Sequence, residues 1–438
     1  MKIVALNGLL GYGYNEESLE AAFSEKVDYI GVDAGSTDPG PYYLGSGKSF
    51  TDRGAVKRDL SLALPKALEH KAPFIIGTAG GAGSCDHVVW LKEILFEIAK
   101  EQNLTFTLGT VYSDVTREYV LEKLDKGLMS NMSDKVPLCR EDIENSTRIV
   151  SQIGIAPIIE LLSKKVDVII CGRACDTAIY AAPCILNGYN EGLAFHMAKI
   201  MECGGMCAEP VAAADVMQGY MYEDYFELRP ANPAKRCTVD RVAAHTLYEQ
   251  TNPYLIFEPD GMCDLTNSKF EQVDERTVRV SGSAFYEAEE KTLKLEGVKC
   301  SGYRTICPAA IYDSKTIENI DLIIDTVTNF VKENTVKTLP ENSYTITFKT
   351  VGGAESSFGI IMDIVGDTQE IADTVCALAR SRMLHCDYEG RKSSAGNLAF
   401  PFSPSDIHVG PVYEFSVFHL AKVDSLLETS DITIEEVR

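Results

Sequence analysis

No stretch of this chain is apolar for anything near the roughly 20 residues that a bilayer-spanning helix requires. Its opening, MKIVALNGLL, has no basic segment ahead of a sustained apolar core. These two absences argue against a membrane span and a secretory leader, so the expected location is the cytoplasm. Basic residues are also short, with 41 Lys and Arg against 64 Asp and Glu and a formal charge of -23. Phosphate backbones and anionic lipid would meet a repulsive field, and neither nucleic acid nor a membrane is an expected partner. The 13 cysteines are odd in number and scattered. Cys171/Cys175 and Cys203/Cys207 are spaced C-x3-C and lack the paired C-x2-C of zinc ribbons, so buried free thiols are expected in place of disulfides or structural zinc.

What is present is an ordinary globular composition, 45% hydrophobic, arranged in a clear rhythm over the first 210 residues. Short apolar runs such as Lys2-Ile3-Val4-Ala5-Leu6, Asp28 to Val32, Phe74 to Gly77, Leu104 to Leu108 and Asp167 to Cys171 alternate with helical patterns at Arg58 to His70, Asp86 to Glu101 and Ile155 to Lys164. Near-continuous apolar strands between amphipathic helices predict an α/β fold, an open, mostly parallel sheet with helices on both faces. After Pro210 the pattern becomes more irregular and more alternating. The polar join Thr338 to Ser343 then leads to strand, glycine turn at Gly352-Gly353, strand, helix and strand. The predicted organisation is an α/β domain over 1–340, more irregular from about 211, and a small α+β domain over 341–438, split βαβ in type.

Open parallel sheets bind ligands at the carboxyl ends of their strands, where helix N-termini point into the crevice. Three loops occupy such ends. Asp33-Ala34-Gly35-Ser36-Thr37-Asp38 follows the second strand, and Pro39 to Tyr43 behind it offers Tyr42 as a wall or lid. Gly77-Thr78-Ala79-Gly80-Gly81-Ala82-Gly83-Ser84 follows the third and opens a helix. It matches neither G-x-x-x-x-G-K-[ST] nor G-x-G-x-x-G, yet Thr78, Gly80, Gly81, Gly83 and Ser84 can cradle an anion. A tight turn capped by Ser84 or Asp86 is the alternative reading of the same residues. The third loop carries Arg173, able to grip a carboxylate in bidentate fashion, and Asp176, either its fixed partner or an acid/base group. Asp33, Asp38 and Asp176 are the candidate proton-transfer residues, with Ser36 and Thr37 beside them. Asp86, His87, Glu202 and Cys203 are secondary candidates. Four aspartates, 33, 38, 86 and 176, with His87 could gather Mg²⁺.

The run VDVIICGRACDTAIYAAPCILNGYNEGLAFHMAKIMECGGMC, Val166 to Cys207, resembles the central signature of the acyclic terpene utilisation (AtuA-type) family, G-R-x-x-D-x-[AS] followed by a helix ending in E-C-G. NPYLIFEPDGMCDL and VRVSGS resemble its P-D and V-R-V-S-G stretches. GTAGGAG stands where the family carries N-A-G-G, with Thr78 replacing Asn, and VGGAESSFGIIMDIVGD is similar to its ferredoxin-fold-like C-terminal domain. The resemblance implies a place in the catabolism of branched carboxylic acids and their CoA thioesters, and it marks Arg173, Asp176, Glu202, Cys203 and Gly204 as family positions. The expected function is a lyase (hydratase) or isomerase acting on a small carboxylate or acyl-CoA, with CoA as the substrate moiety. The anion would rest on the glycine loop and Arg173, in a homo-oligomer. A non-catalytic subunit of a multi-enzyme complex is the alternative.

Overall fold

The computed structural model describes all residues except 133–135, 212–214, 354–356 and 393–397. The chain forms two compact units, residues 1–299 with 415–438, and residues 300–414.

Five strands make the centre of the first unit: β1 (Lys2–Ala5), β2 (Tyr29–Val32), β3 (Phe74–Ile76), β4 (Phe106–Tyr112) and β5 (Val168–Cys171). They run parallel in the order β1-β2-β3-β5-β4. Alternate residues of a strand point to opposite faces, so a strand covered on both sides must be apolar throughout. Val4, Ile30, Ile76 and Ile170 bury against helices Arg53–His70 and Cys85–Gln102 on one face. Their neighbours Ile3, Ala5, Ile75 and Ile169 bury against Ala178–Leu186 and Glu191–Met201 on the other.

The sheet is mixed, and the expectation of a mostly parallel one is corrected at both edges. Beyond β1 lie Met217–Met221, Tyr225–Pro230, Val278–Ser281 and Lys269–Gln272, and beyond β4 lies Asp431–Val437, each antiparallel to its neighbour. Four of the strands after Pro210 and before residue 282 therefore extend the same sheet, while Leu255–Glu258, Gly261–Asp264 and Ala284–Glu287 form a separate one. Phe226, Leu228, Val278 and Val280 join the core that holds Ile3, while Glu227 and Arg279, one residue out of phase, form an ion pair at 2.8 Å. Half-buried antiparallel strands are built this way.

In the second unit, residues 303–311 of the strand Thr292–Ile311 pair antiparallel with Ser357–Gly366, which pairs with Tyr344–Gly353. Helices Ile320–Thr335 and Gln369–Leu384 bury Val327, Val331, Val375 and Ala379 against Ile360, Met362 and Ile364. Gly352 and Gly353, where a turn is expected, are instead the last residues of their strand, and 354–356 lie outside the described residues. The compact unit begins at 300 and not near 340, because Ile320–Thr335 shares its core with the strands that follow it, and residues 415–438 return to the first unit. Among the described residues no helix is long and apolar enough to cross a membrane.

Candidate functional site

Backbone packing brings the three strand-end loops together. At Gly35, where φ is 140°, a Cβ would fall 2.4 Å from the Cα of Gly81, and at Gly83, where φ is 71°, it would fall 2.2 Å from the amide nitrogen of Arg173. Only glycine can occupy either position, because of both backbone angle and space. The glycines thus serve loop-on-loop contact: Gly80 is covered by His87 and Gly81 by Phe50. Thr78 holds the junction from within at φ 28°, rare for a β-branched residue. Its hydroxyl donates to the Ala174 carbonyl and accepts from the Ala174 amide, both at 3.1 Å.

Arg173 is sealed inside this junction, 3% exposed. Its Nε donates to Glu296 Oε2 at 2.8 Å and its Nη1 to the Ala174 carbonyl at 2.8 Å. Glu296, fully buried, also takes Lys294 at 2.5 Å and the Thr37 hydroxyl at 2.9 Å. Burial works against its charge, yet Arg173 and Lys294 hold the carboxyl down at about 2. The guanidinium is therefore fixed in a four-group network behind the crevice. Ser84 and His87 are likewise structural in their contacts: Ser84 N and Oγ lie 3.2 and 2.8 Å from Nδ1, and Nε2 lies 3.0 Å from the Lys48 carbonyl. With that carbonyl accepting from Nε2–H, Nδ1 is left as an acceptor, and burial lowers the imidazole pKa. Asp86 pairs with Arg148 at 2.5 Å, away from the crevice.

In front of the junction lies a cavity of about 280 Å³. Asp33, Gly35, Ser36 and Asp38 line it from the loop after β2, Asp176 from the loop after β5, and Glu202 and Cys203 from the end of helix Glu191–Met201. Gly8, Leu9 and Tyr12 reach in from the loop after β1, with Phe50, Tyr248 and Glu249 completing the wall. No Lys, Arg or His stands among these lining residues. Tyr42 packs edge-on to Tyr43, and Tyr43 edge-on to Phe50, so the expected aromatic wall reaches the cavity through Phe50.

The carboxyls here are crowded and dry. Burial, then the nearby Asp176, pushes Asp33 well above the ordinary carboxylate range, although the Gly35 amide bonds to its Oδ1 at 3.1 Å. Asp176 is pushed up to about 6 by burial, with Arg173 pulling the other way. Its Oδ1 stays 3.7 Å from Arg173 Nη1, beyond hydrogen-bond reach, and is without a hydrogen-bond partner. Glu202 is pushed up to about 8 by burial, against an ion pair with Lys199. Burial and then Glu202 keep the Cys203 thiol protonated. Behind them the Tyr180 hydroxyl is buried without a hydrogen-bond partner, its pKa raised by burial and then Asp33. Among the described residues no three His, Cys, Asp or Glu side chains are set to hold a metal ion.

The structure thus gathers Asp33, Ser36, Asp38, Asp176, Glu202 and Cys203 at one cavity and keeps Arg173, Thr37, Thr78, Gly83, Ser84 and His87 as its support. Sequence reasoning missed Glu296, Lys294, Tyr180, Tyr248 and Glu249. Glu296 stands in the alternating segment Leu293-Lys294-Leu295-Glu296, where a polar position reads as solvent-facing, with no indication of its partner. Tyr248 and Glu249 were hidden because they lie just past a helix that ends at Thr246, where Glu249 turns the chain with φ 60°.

The profile of the family described as "Acyclic terpene utilisation family protein AtuA" matches residues 44–219 and 229–379, most of the chain. No curated protein and no solved structure matches.

Proposed function

The chain belongs to the acyclic terpene utilisation (AtuA) family, and we propose that it is a proton-transferring enzyme of carboxylic-acid catabolism, a lyase (hydratase) or isomerase acting on a small acyl-CoA thioester. The observation that supports this reading is the presence of carboxyls at different protonation levels in one cavity: Asp176 near 6 and Glu202 near 8. Near neutral pH the first is an available base and the second an available acid, the pairing that acid–base catalysis needs. In a dehydration Asp176 takes the proton beside the carbonyl, and Glu202 protonates the departing hydroxyl, which leaves as water. In an isomerisation the proton removed at one carbon is returned at another. In its protonated form, which burial favours, Asp33 donates a hydrogen bond to the carbonyl oxygen as charge develops there. Since no cation lines the cavity, a free carboxylate would be repelled, and the uncharged thioester is the form that fits. We also read the second unit as ferredoxin-like, from its order of strand, helix, two strands, helix and strand.

Incubating the protein with a panel of saturated, unsaturated and 3-hydroxy acyl-CoAs in D₂O, read by mass spectrometry, tests the reading. At least one thioester should gain deuterium, with the rate falling by about 10²–10⁴-fold in Asp176→Asn and in Glu202→Gln. A panel that takes up none would overturn it.

A further inference from the structure

The chain carries a charge of -23, yet one open cavity of about 1140 Å³ is lined by Lys235, Arg236, Arg241 and Arg276 together with Glu209 and Glu275. The cations differ in how firmly they are held. Arg276 is fixed, its Nε donating to the Lys235 carbonyl at 2.9 Å and its Nη2 to the carbonyls of Pro230 and Asn232 at 2.9 and 2.6 Å. Lys235 lies 2.8 Å from Asp215. Arg236 and Arg241 share one carboxylate, Glu209, at 2.7 and 3.9 Å, and their side chains are 60% and 50% exposed. A single carboxylate cannot satisfy two planar guanidinium forks, so donors remain for the oxygens of a multiply charged anion. The helix Val239–Thr246 begins here, its N-cap Thr238 lining the cavity beside Arg241, and a helix N-terminus adds positive potential.

The same helix leads to the other cavity. Thr238 and Arg241 line the cationic one, whereas Tyr248 and Glu249, just past the helix's last residue, line the acidic one. Eight helical residues rise about 12 Å, so the two cavities lie one short helix apart. An acidic crevice that repels anions and a cationic cavity this far away together describe a ligand that is uncharged at its reacting end and polyanionic at its remote end.

We propose that this cavity binds the phosphates of a nucleotide, the 3′-phospho-ADP portion of a CoA thioester, while the pantetheine arm runs past the helix to place the acyl group among Asp33, Asp176 and Glu202. The proposal deepens the acid–base reading and rests on it for the identity of the acyl end. Arg236 and Arg241 grip the phosphates by exchanging Glu209 for them, and Arg276, held by neutral carbonyls, supplies fixed positive charge behind.

Calorimetric titration of the full chain with CoA, 3′,5′-ADP, inorganic pyrophosphate and pantetheine tests it. CoA and 3′,5′-ADP should bind, and Arg236→Gln/Arg241→Gln should weaken both at least tenfold while leaving pantetheine unchanged. Asp176→Asn should leave 3′,5′-ADP unaffected. Both arginines are half exposed or more, and the melting temperature of the double variant checks that it folds. No binding of 3′,5′-ADP, binding indifferent to the double variant, or pyrophosphate binding as tightly as the nucleotide would each overturn the proposal. If deuterium exchange proceeds but the double variant keeps its KM for the acyl-CoA, this site falls and the acid–base reading stands. If 3′,5′-ADP depends on the arginines while no thioester exchanges, the phosphate site stands and the acid–base reading falls.

Discussion

Glu296 and Glu202 belong to the same compact unit and are 0% and 3% exposed, yet their carboxyls titrate at opposite ends of the scale, about 2 and about 8. Glu296 meets two cations and a hydroxyl: Arg173, Lys294 and Thr37. Glu202 meets one cation, Lys199, and is surrounded by further acids, Asp176 and Glu258 among them. Burial disfavours charge at both positions, and the local ratio of donors to acids decides which one keeps its proton. The junction behind the crevice is thus electrostatically closed, whereas the crevice is left short of positive charge. A closed network holds loops in place, and an open one has protons to exchange.

The largest expected effect breaks the closed side. Glu296→Ala leaves Arg173 buried without its carboxylate and should cost about 3–5 kcal/mol, read from the urea midpoint. A loss below about 1 kcal/mol would show that the junction is not held by this pair. The next sharpens the contrast through pH. Glu202 has a folded pKa raised above its unfolded value, so its favourable contribution is complete below about 4.5 and is lost as pH rises through about 8. Glu296 has the reverse sign, contributing above about 4.5 and losing that contribution as pH falls toward about 2. Glu202→Gln should therefore flatten the decline in stability between pH 5 and 8 by on the order of 2 kcal/mol and leave the acid limb alone. A third, smaller effect tests the crowding directly. Asp176→Asn removes the neighbouring charge that raises Asp33, so the Asp33 carboxyl, followed by ¹³C NMR, should titrate lower while stability changes by less than about 1 kcal/mol. Least of all, Asp38→Ala, which removes an exposed acceptor of the Ser36 hydroxyl at 2.8 Å, should move stability by no more than about 0.5 kcal/mol.

The parallel centre of the fold was legible because β1, β2, β3 and β5 are buried on both faces and show it in unbroken apolar runs. Strand Asp431–Val437 was not, since three of its seven residues are acidic and it pairs with β4 more than 300 positions upstream. That polar loops follow β2, β3 and β5 was also legible, but that the three meet was decided by the structure, where Gly35 lies on Gly81 and Gly83 on Arg173. The direction in which Arg173 points was not legible either. A guanidinium at a strand end reads as a ligand for an anion until its carboxylate is found 123 residues further along the chain.

By itself the sequence determined the covered parallel centre of a sheet, three polar loops at strand ends and a surplus of negative charge, because each of these follows from local pattern and composition. Tertiary structure alone decided which of the polar groups are neutralised and which are left facing one another in the crevice. Coulomb interaction depends on separation in space, and the partners that set it come from elements far apart along the chain.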